Sequence, residues 1–255
     1  MPPRIRPQTL ESYLSTLPTP LPPPSKRSSV LRGTLFEYTV QSSLQQSFPG
    51  LILRKTGGAG DGGVDLIGRW ELPPSHGQRK VVNPDTLERK EAGVPETPEG
   101  KRKISVLVQC KSFSSPSMLG PKTIRELAGT LSNAYFAGLR LREAKTEEEL
   151  EDSVMEEANA DEDSTVSSIL PALPSPSSCL GLLAVPFALT KSLQKAILAS
   201  GEWGIIVVHV RDFDEGGGVV GLSWNEKARQ VLGGSVSVRN TRGGVKVRIV
   251  DDEVD

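Results

Sequence analysis

The sequence has few of the residues that hold small disulfide-rich or zinc-dependent folds together. Its 255 residues include two cysteines and two histidines, too few for a disulfide framework or a four-ligand zinc site of Cys and His. No apolar run approaches the roughly 20 residues that cross a bilayer, and the N-terminus lacks the apolar region of a secretory signal. We therefore expect a soluble intracellular protein without a membrane span.

Charge is distributed unevenly along the chain, although the formal net charge is only -1. Residues 143 to 163 carry 11 acidic residues and one lysine, so the remaining chain has 29 basic and 20 acidic residues. A net positive charge outside the acidic run permits a polyanionic partner such as nucleic acid.

Composition divides the chain into a leader and one domain. Residues 1–30 are rich in proline, serine and basic residues, which favours either a disordered leader or a mitochondrial transit segment. Residues 31–250 are expected to form a single domain. Proline and mixed charge at 72–103, and acidic then Ser/Pro-rich sequence at 143–178, predict two loop or disordered insertions in that domain.

Apolar periodicity within the domain predicts helices and strands in the order αβββαβαβ. Helices are predicted at 31–48, 121–140 and 190–199, and strands at 51–55, 64–67 (ended by Gly68), 104–111, 179–187 and 203–210. A short helix near 225–232 and a weak terminal strand complete the chain. Two near-continuous apolar strands favour an α/β fold with a mixed β-sheet flanked by α-helices.

The glycine-rich stretch GGAGDGGVDLI at 57–67 matches GxGxxG, the spacing of a dinucleotide-binding loop. That loop requires a helix after the glycines, whereas the following residues are β-branched and apolar and predict a strand. A nucleotide-cofactor enzyme is therefore the weakest hypothesis, and it requires a helix at residues 64 to 75. The alternative is that the glycine turn delivers Asp65, an acidic residue at the start of a strand.

Polar residues on the third predicted strand suggest a metal site beside Asp65. Gln109 and Lys111 lie two residues apart, so they emerge on the same strand face about 7 Å apart. Mg²⁺ or Mn²⁺ binds one or two carboxylates together with carbonyl oxygens and water. Asp65, the Gln109 side chain and the Cys110 main-chain carbonyl are candidate ligands, Lys111 a candidate electrostatic catalyst, and Glu37 a candidate second acid.

Other polar residues have weaker claims to function. Lys122, Arg125, Ser112 and Ser114 follow the proposed site and are candidate phosphate contacts, although exposed polar residues need no such role. The Cys110 side chain shares a strand face with Val106 and Val108, and is predicted to be a small core residue rather than a nucleophile.

Several of these motifs together resemble a known family. GDGGVD followed by a strand and VQCK is similar to the Mrr-like branch of the PD-(D/E)XK nuclease superfamily, and GTLFE at 33–37 is similar to the first-helix motif of that superfamily. KTIRELAG at 122–129 and AVPFALTKSLQKAI at 184–197 resemble the later helix and strand-helix segments. With the basic leader and the insertions, the whole most resembles the fungal mitochondrial proteins required for respiratory growth.

The resemblance implies a restriction-endonuclease-like core, mitochondrial localisation and Mg²⁺-dependent hydrolysis of nucleic acid, with DNA as the expected substrate. Position 109 departs from the acidic residue of the broader pattern, because an amide brings no negative charge to a cation. The alternative is therefore a catalytically weak or inactive nuclease fold that serves as a nucleic-acid-binding or scaffold factor.

Overall fold

The computed structural model describes residues 7–56, 63–73, 101–113, 115–151, 175–241 and 244–250, without the side chains of residues 138–151 and 240. The helices are α1 Leu10–Leu14, α2 Ser29–Ser47, α3 Pro121–Glu151, α4 Lys191–Ala199 and α5 Glu226–Leu232. The strands are β1 Leu51–Lys55, β2 Leu66–Leu72, β3 Arg102–Cys110, β4 Cys179–Val185, β5 Gly204–Val210, β6 Val219–Trp224, β7 Val236–Thr241 and β8 Gly244–Ile249.

The first six strands form one mixed sheet in chain order, β1 to β6. Strands β1, β2 and β3 pair antiparallel, β3, β4 and β5 pair parallel, and β6 returns antiparallel to β5. Strands β7 and β8 form a separate antiparallel pair. The element order from α2 to β5 is αβββαβαβ, so the predicted α/β architecture with a mixed sheet between helices is confirmed.

Helices cover both faces of this sheet. The core on one face of the sheet contains Phe36, Val40 and Leu44 of α2 together with Ala228 and Val231 of α5. Helices α3 and α4 cover the other face, with Leu127, Leu131, Leu193 and Ile197 among their buried side chains. Alternation along β3 places Val106 and Val108 in the first core and Leu107 in the second, as the sequence predicts.

Two glutamines of α2 cover the outer edge of β1. The Gln41 Nε2 donates to the Leu53 carbonyl at 3.0 Å, and the Gln45 Oε1 accepts from the Leu53 amide at 2.8 Å. Strand β1 lies at the end of the six-stranded sheet, where backbone groups have no neighbouring strand to bind. The two side chains supply the missing hydrogen bonds at Leu53.

The second strand is longer than predicted, because Gly68 lies within it rather than ending it. A Cβ at position 68 would lie 1.9 Å from the Ile52 carbonyl oxygen of β1. Glycine is required there by the close approach of the neighbouring backbone and does not mark a turn. The strand at Leu66–Leu72 also contradicts the helix at 64–75 that the dinucleotide-loop hypothesis requires.

The described part of the leader packs against the domain, in contrast to the disordered segment considered from composition. Thr9 caps α1. The Tyr13 ring stacks on Tyr38 of α2 with centroids 4.6 Å apart, and the Tyr38 hydroxyl donates to the Pro7 carbonyl at 2.7 Å. Arg27 also pairs with Asp214 at 2.6 Å. These contacts join residues 7–28 to α2 and to the loop after β5.

The two predicted insertions lie largely outside the described residues. Residues 74–100 and 152–174 are not described, whereas α3 continues to Glu151, about eleven residues past its predicted end. The β7–β8 pair lies where the weak terminal strand is predicted, whereas β6, which precedes α5, was not predicted from the sequence. No helix in the described part of the chain is long and apolar enough to cross a bilayer.

Candidate metal and catalytic site

Asp65 lies at the edge of the sheet, one residue before β2, and is attached to β3. Its backbone amide donates to the Val108 carbonyl at 2.9 Å, and its carboxylate Oδ2 accepts from the Cys110 amide at 2.6 Å. The Asp65 carbonyl in turn accepts from the Thr56 amide at 2.9 Å. These bonds fix the carboxylate beside the last residues of β3, where the sequence predicts the site.

Gln109 lies on the same part of β3 and is buried. Its side chain is 5% exposed, and its Oε1 has no hydrogen-bond partner among the described residues. Gly63, with φ +83°, passes over this amide so closely that a Cβ would lie 3.1 Å from the Gln109 Nε2. A buried oxygen without a partner costs about 1–3 kcal/mol. The Gln109 Oε1 is therefore a buried hydrogen-bond acceptor to which no described protein group donates.

Lys111 follows β3 and faces α3. Its amide donates to the Ala184 carbonyl of β4 at 2.9 Å, which fixes the backbone, and its Nζ lies 3.8 Å from the Glu126 Oε2. Glu126 also lies 3.7 Å from the Nζ of Lys122, one turn earlier on α3. Because Glu126 is shared and both distances are long, the Lys111 ammonium is held loosely beside the site.

Glu37 on α2 forms a salt bridge with Lys55, the last residue of β1. Both side chains are partly buried, and the Lys55 Nζ also lies 5.4 Å from the centre of the Tyr38 ring. The structure thus brings the predicted second acid to the same sheet edge, but with a lysine bound to its carboxylate. Glu37 would have to exchange this partner to reach a cation.

The Cys110 side chain packs against the α2 core, as the sequence predicts. Burial is the largest cause that raises the pKa of the Cys110 thiol; the charge of Asp65 raises it further and the charge of Lys55 lowers it. A thiol with a raised pKa is a poor nucleophile at neutral pH. The charges of Asp65 and Lys55 therefore both act on Cys110, at the end of β3.

The four candidate phosphate contacts follow β3 in the sequence. Ser112 is exposed, and Ser114 lies outside the described residues. The Lys122 side chain is 84% exposed, and Arg125 is exposed at the rim of a cavity of about 660 Å³ between α3 and α4. The described three follow the site in chain order.

The donor set at this edge fits a hydrated hard cation. Asp65 supplies one carboxylate, Gln109 an unpaired buried oxygen, and Cys110 a main-chain carbonyl at the last position of β3. Mg²⁺ and Mn²⁺ accept such oxygen ligands and fill the remaining positions with water. Among the described residues no three His, Cys, Asp or Glu side chains cluster, so the set does not fit a zinc site.

Sequence reasoning missed two charged residues of this site. Lys55 ends the predicted first strand, and its proximity to Glu37 depends on how α2 crosses β1, which periodicity does not report. Glu126 lies within the KTIRELAG segment, and the Lys122–Glu126 spacing of four residues was a usable signal of a helical ion pair. Its contact with Lys111 depends on the packing of α3 against the sheet.

Comparisons with known proteins identify similar chains from fungi. The family model described as "Required for respiratory growth protein 7" matches residues 28–144, which contain all of the candidate site residues. A Saccharomyces cerevisiae protein of that name, given as mitochondrial, is 37% identical over 120 residues, which cover 42% of this chain and 49% of the yeast protein. No solved structure matches the chain.

Two further fungal proteins are similar to this chain at comparable identity. The protein of the same name from Vanderwaltozyma polyspora is 32% identical over 119 residues, 41% of this chain and 47% of the relative. A mitochondrial protein from Schizosaccharomyces pombe is 37% identical over 125 residues, 49% of this chain and 38% of that protein. The chain spans about half the length of the respiratory-growth relatives. Their names support the predicted family and confirm the expected mitochondrial localisation.

Proposed function

We propose that this chain hydrolyses phosphodiester bonds of nucleic acid, with DNA as the expected substrate, and that the activity serves respiratory growth in mitochondria. The αβββαβαβ order is consistent with a restriction-endonuclease-like core. The observation that carries the proposal is the unpaired buried oxygen of Gln109 beside a carboxylate fixed at 2.6 Å from the Cys110 amide. A ligand bound at this oxygen would satisfy it, which supports the proposal.

Each residue of the site has a distinct role in this reaction. Asp65 and the Gln109 oxygen would hold the cation, with the Cys110 carbonyl as a third donor. Bound Mg²⁺ or Mn²⁺ supplies Lewis acidity and an activated water. The Lys111 ammonium exchanges its long contact with Glu126 for an oxygen of the scissile phosphate and stabilises the charge that develops there.

The salt bridge between Glu37 and Lys55 limits the expected cation affinity and turnover. The Glu37 carboxylate would contribute to the site as a second acid only when Lys55 moves away, so a bound cation would be held mainly by a single charged ligand. Weak cation affinity and low turnover are the expected consequences, since each missing carboxylate removes a full charge from the donor set.

A plasmid assay tests the proposal. Purified protein is incubated with supercoiled DNA, and separately with labelled RNA, in Mg²⁺, Mn²⁺ or EDTA. We expect cleavage of DNA that requires the cation and is lost in Asp65→Asn and Lys111→Met, while Lys246→Met, an exposed lysine of β8, cleaves normally. Cleavage that survives Asp65→Asn, or that continues in EDTA, would contradict the assignment.

The alternative function is a nucleic-acid-binding or scaffold factor that retains the nuclease fold without useful turnover. The engagement of Glu37 by Lys55 and the neutral amide at 109 favour it. Calorimetry separates the two functions, because a binding factor holds DNA equally well with and without Mg²⁺. A protein that binds DNA in EDTA, yet shows no cleavage and no heat on Mg²⁺ titration, is this factor.

A further inference from the structure

Among the described residues, no helix covers one face of the sheet at β1 and β2. Helix α3 covers the middle of that face, where Leu107 is buried, but Ile52 of β1 is 49% exposed. Arg54 of β1 and Arg69 of β2 are also exposed on this face. The residues border a shallow cavity of about 310 Å³. Antiparallel strands such as β1 to β3 can leave one face exposed to solvent, so these side chains are placed where a partner can contact them.

Strand register places these side chains relative to one another. Arg54 pairs with Ile67, and Ile52 pairs with Arg69. The two arginines are therefore diagonal neighbours on adjacent strands, about 7–8 Å apart. Arg69 lies four residues from Asp65 along β2, about 14 Å by strand geometry. The arginines thus follow one another away from the candidate site on a single surface.

The surface carries net positive charge. Arg54 has no acidic partner among the described residues, and Lys103 is exposed on the neighbouring β3. Among the described strand residues of this face, Glu71 is the acidic one; its Oε1 accepts from the Arg69 Nε at 2.9 Å and neutralises that arginine in part. The described strand residues of the face hold three cations and one carboxylate.

We infer that this basic face, defined by Ile52, Arg54, Arg69 and Lys103, binds the phosphate backbone of the nucleic acid that enters the candidate site. The inference rests on the proposed function and specifies how its substrate is held. Phosphates on each strand of a duplex recur every 3.4 Å of the helix axis, so about 14 Å along that axis corresponds to roughly four nucleotides. Arg54 and Arg69 then contact phosphates within about four nucleotides of the bond beside Asp65.

This face contacts the phosphate backbone of the nucleic acid rather than its bases. Trp70, the aromatic residue of β2, is 1% exposed and points to the opposite core, so it cannot stack on a base. Arginine contacts with phosphates position a strand but carry no sequence information. The face therefore gives sequence-independent binding that weakens as salt increases.

The test measures how affinity for a labelled oligonucleotide depends on salt, by fluorescence anisotropy in Ca²⁺ and in EDTA, where no turnover interferes. Each lost phosphate contact should lower the slope of log K against log salt by about 0.9 on duplex and about 0.7 on single-stranded nucleic acid. We expect this change in Arg54→Gln and in Arg69→Gln, and about twice the change in the double variant.

Arg229→Gln is the matched control, because Arg229 is also exposed and also lies near a glutamate of its own element, Glu226 at 3.7 Å, but on α5 at the opposite layer. Its slope should equal that of the unmodified protein. Three results would overturn the inference: equal slopes in all five proteins, no binding at all, or equally efficient displacement by polyglutamate, which would indicate an acidic protein partner.

The outcomes separate this inference from the proposed function. If Asp65→Asn abolishes cleavage while Arg54→Gln leaves the salt slope unchanged, the nuclease assignment stands and the basic face does not. If no cleavage is found but both arginine variants lower the slope, the face binds nucleic acid in a protein without turnover.

Discussion

Replacement of Gln109 by methionine should make the protein more stable and less responsive to Mg²⁺. Methionine has similar volume and flexibility, so it fills the space under Gly63 without the unpaired Oε1. Removal of an unsatisfied buried oxygen should raise the free energy of unfolding by about 1–2 kcal/mol. For a domain of this size, that gain corresponds to an increase in Tm of about 3–6 °C.

Urea denaturation in EDTA and in Mg²⁺, followed by tryptophan fluorescence, measures both effects. The unmodified protein should gain about 1.4 kcal/mol when Mg²⁺ is at ten times its Kd, because the cation binds only the folded state. Gln109→Met should begin from a higher stability in EDTA and gain much less from Mg²⁺. The two curves should therefore converge as Mg²⁺ is added.

Gln41→Met is the matched control. Gln41 is also a glutamine that is 5% exposed with an unpaired Oε1, but its Nε2 holds the Leu53 carbonyl at 3.0 Å. Loss of that bond opposes the gain from removing the oxygen, so no stabilisation is expected and the Mg²⁺ response should be unchanged. A Gln109→Met protein that is less stable in EDTA, or that retains the full Mg²⁺ gain, would refute the reasoning.

Three further predictions concern the surrounding structure. Lys55→Met should free Glu37, tighten Mg²⁺ binding several-fold in calorimetry and lower stability by about 1–2 kcal/mol; weaker Mg²⁺ binding would show that Glu37 does not reach the site. Gly68→Ala should cost about 3 kcal/mol or more, measured by urea denaturation, because its Cβ meets the Ile52 carbonyl; a stable variant would show that β1 can move. Burial raises the pKa of the Cys179 thiol above its ordinary value of about 9, so its contribution to stability is complete below that pH and is lost as pH rises above it. Cys179→Ala should therefore reduce the alkaline fall in stability by up to about 1.4 kcal/mol per pH unit, and an unchanged fall would contradict the burial.

Most of the architecture could be predicted because its elements have strong local signals. Helix α4 has the cap residue Thr190, whose side chain accepts from the Leu193 amide at 3.2 Å, and α5 begins after Asn225, which bonds the Ala228 amide at 2.9 Å. Strands β4 and β5 are continuous apolar runs. These features are local, so they could be identified without knowledge of the tertiary structure.

What could not be predicted depends on contacts between distant segments. Gly68 resembles a strand terminator in sequence, and only the position of the Ile52 carbonyl shows why glycine is needed within a strand. The same holds for the Glu37–Lys55 pair, which joins a helix to a strand end. The convergence of Asp65 with the end of β3 was predicted, because strand pairing alone brings those residues together.

Gln41 and Gln45, on the outer side of β1, affect how the protein unfolds and aggregates. A strand from a second molecule that paired with β1 would have to form hydrogen bonds with the Leu53 amide and carbonyl. Both groups are bonded to α2, so this pairing requires α2 to detach first. Partial unfolding that releases this helix would thus open the sheet to intermolecular growth, so aggregation on heating should begin with loss of α2 rather than with loss of the central strands.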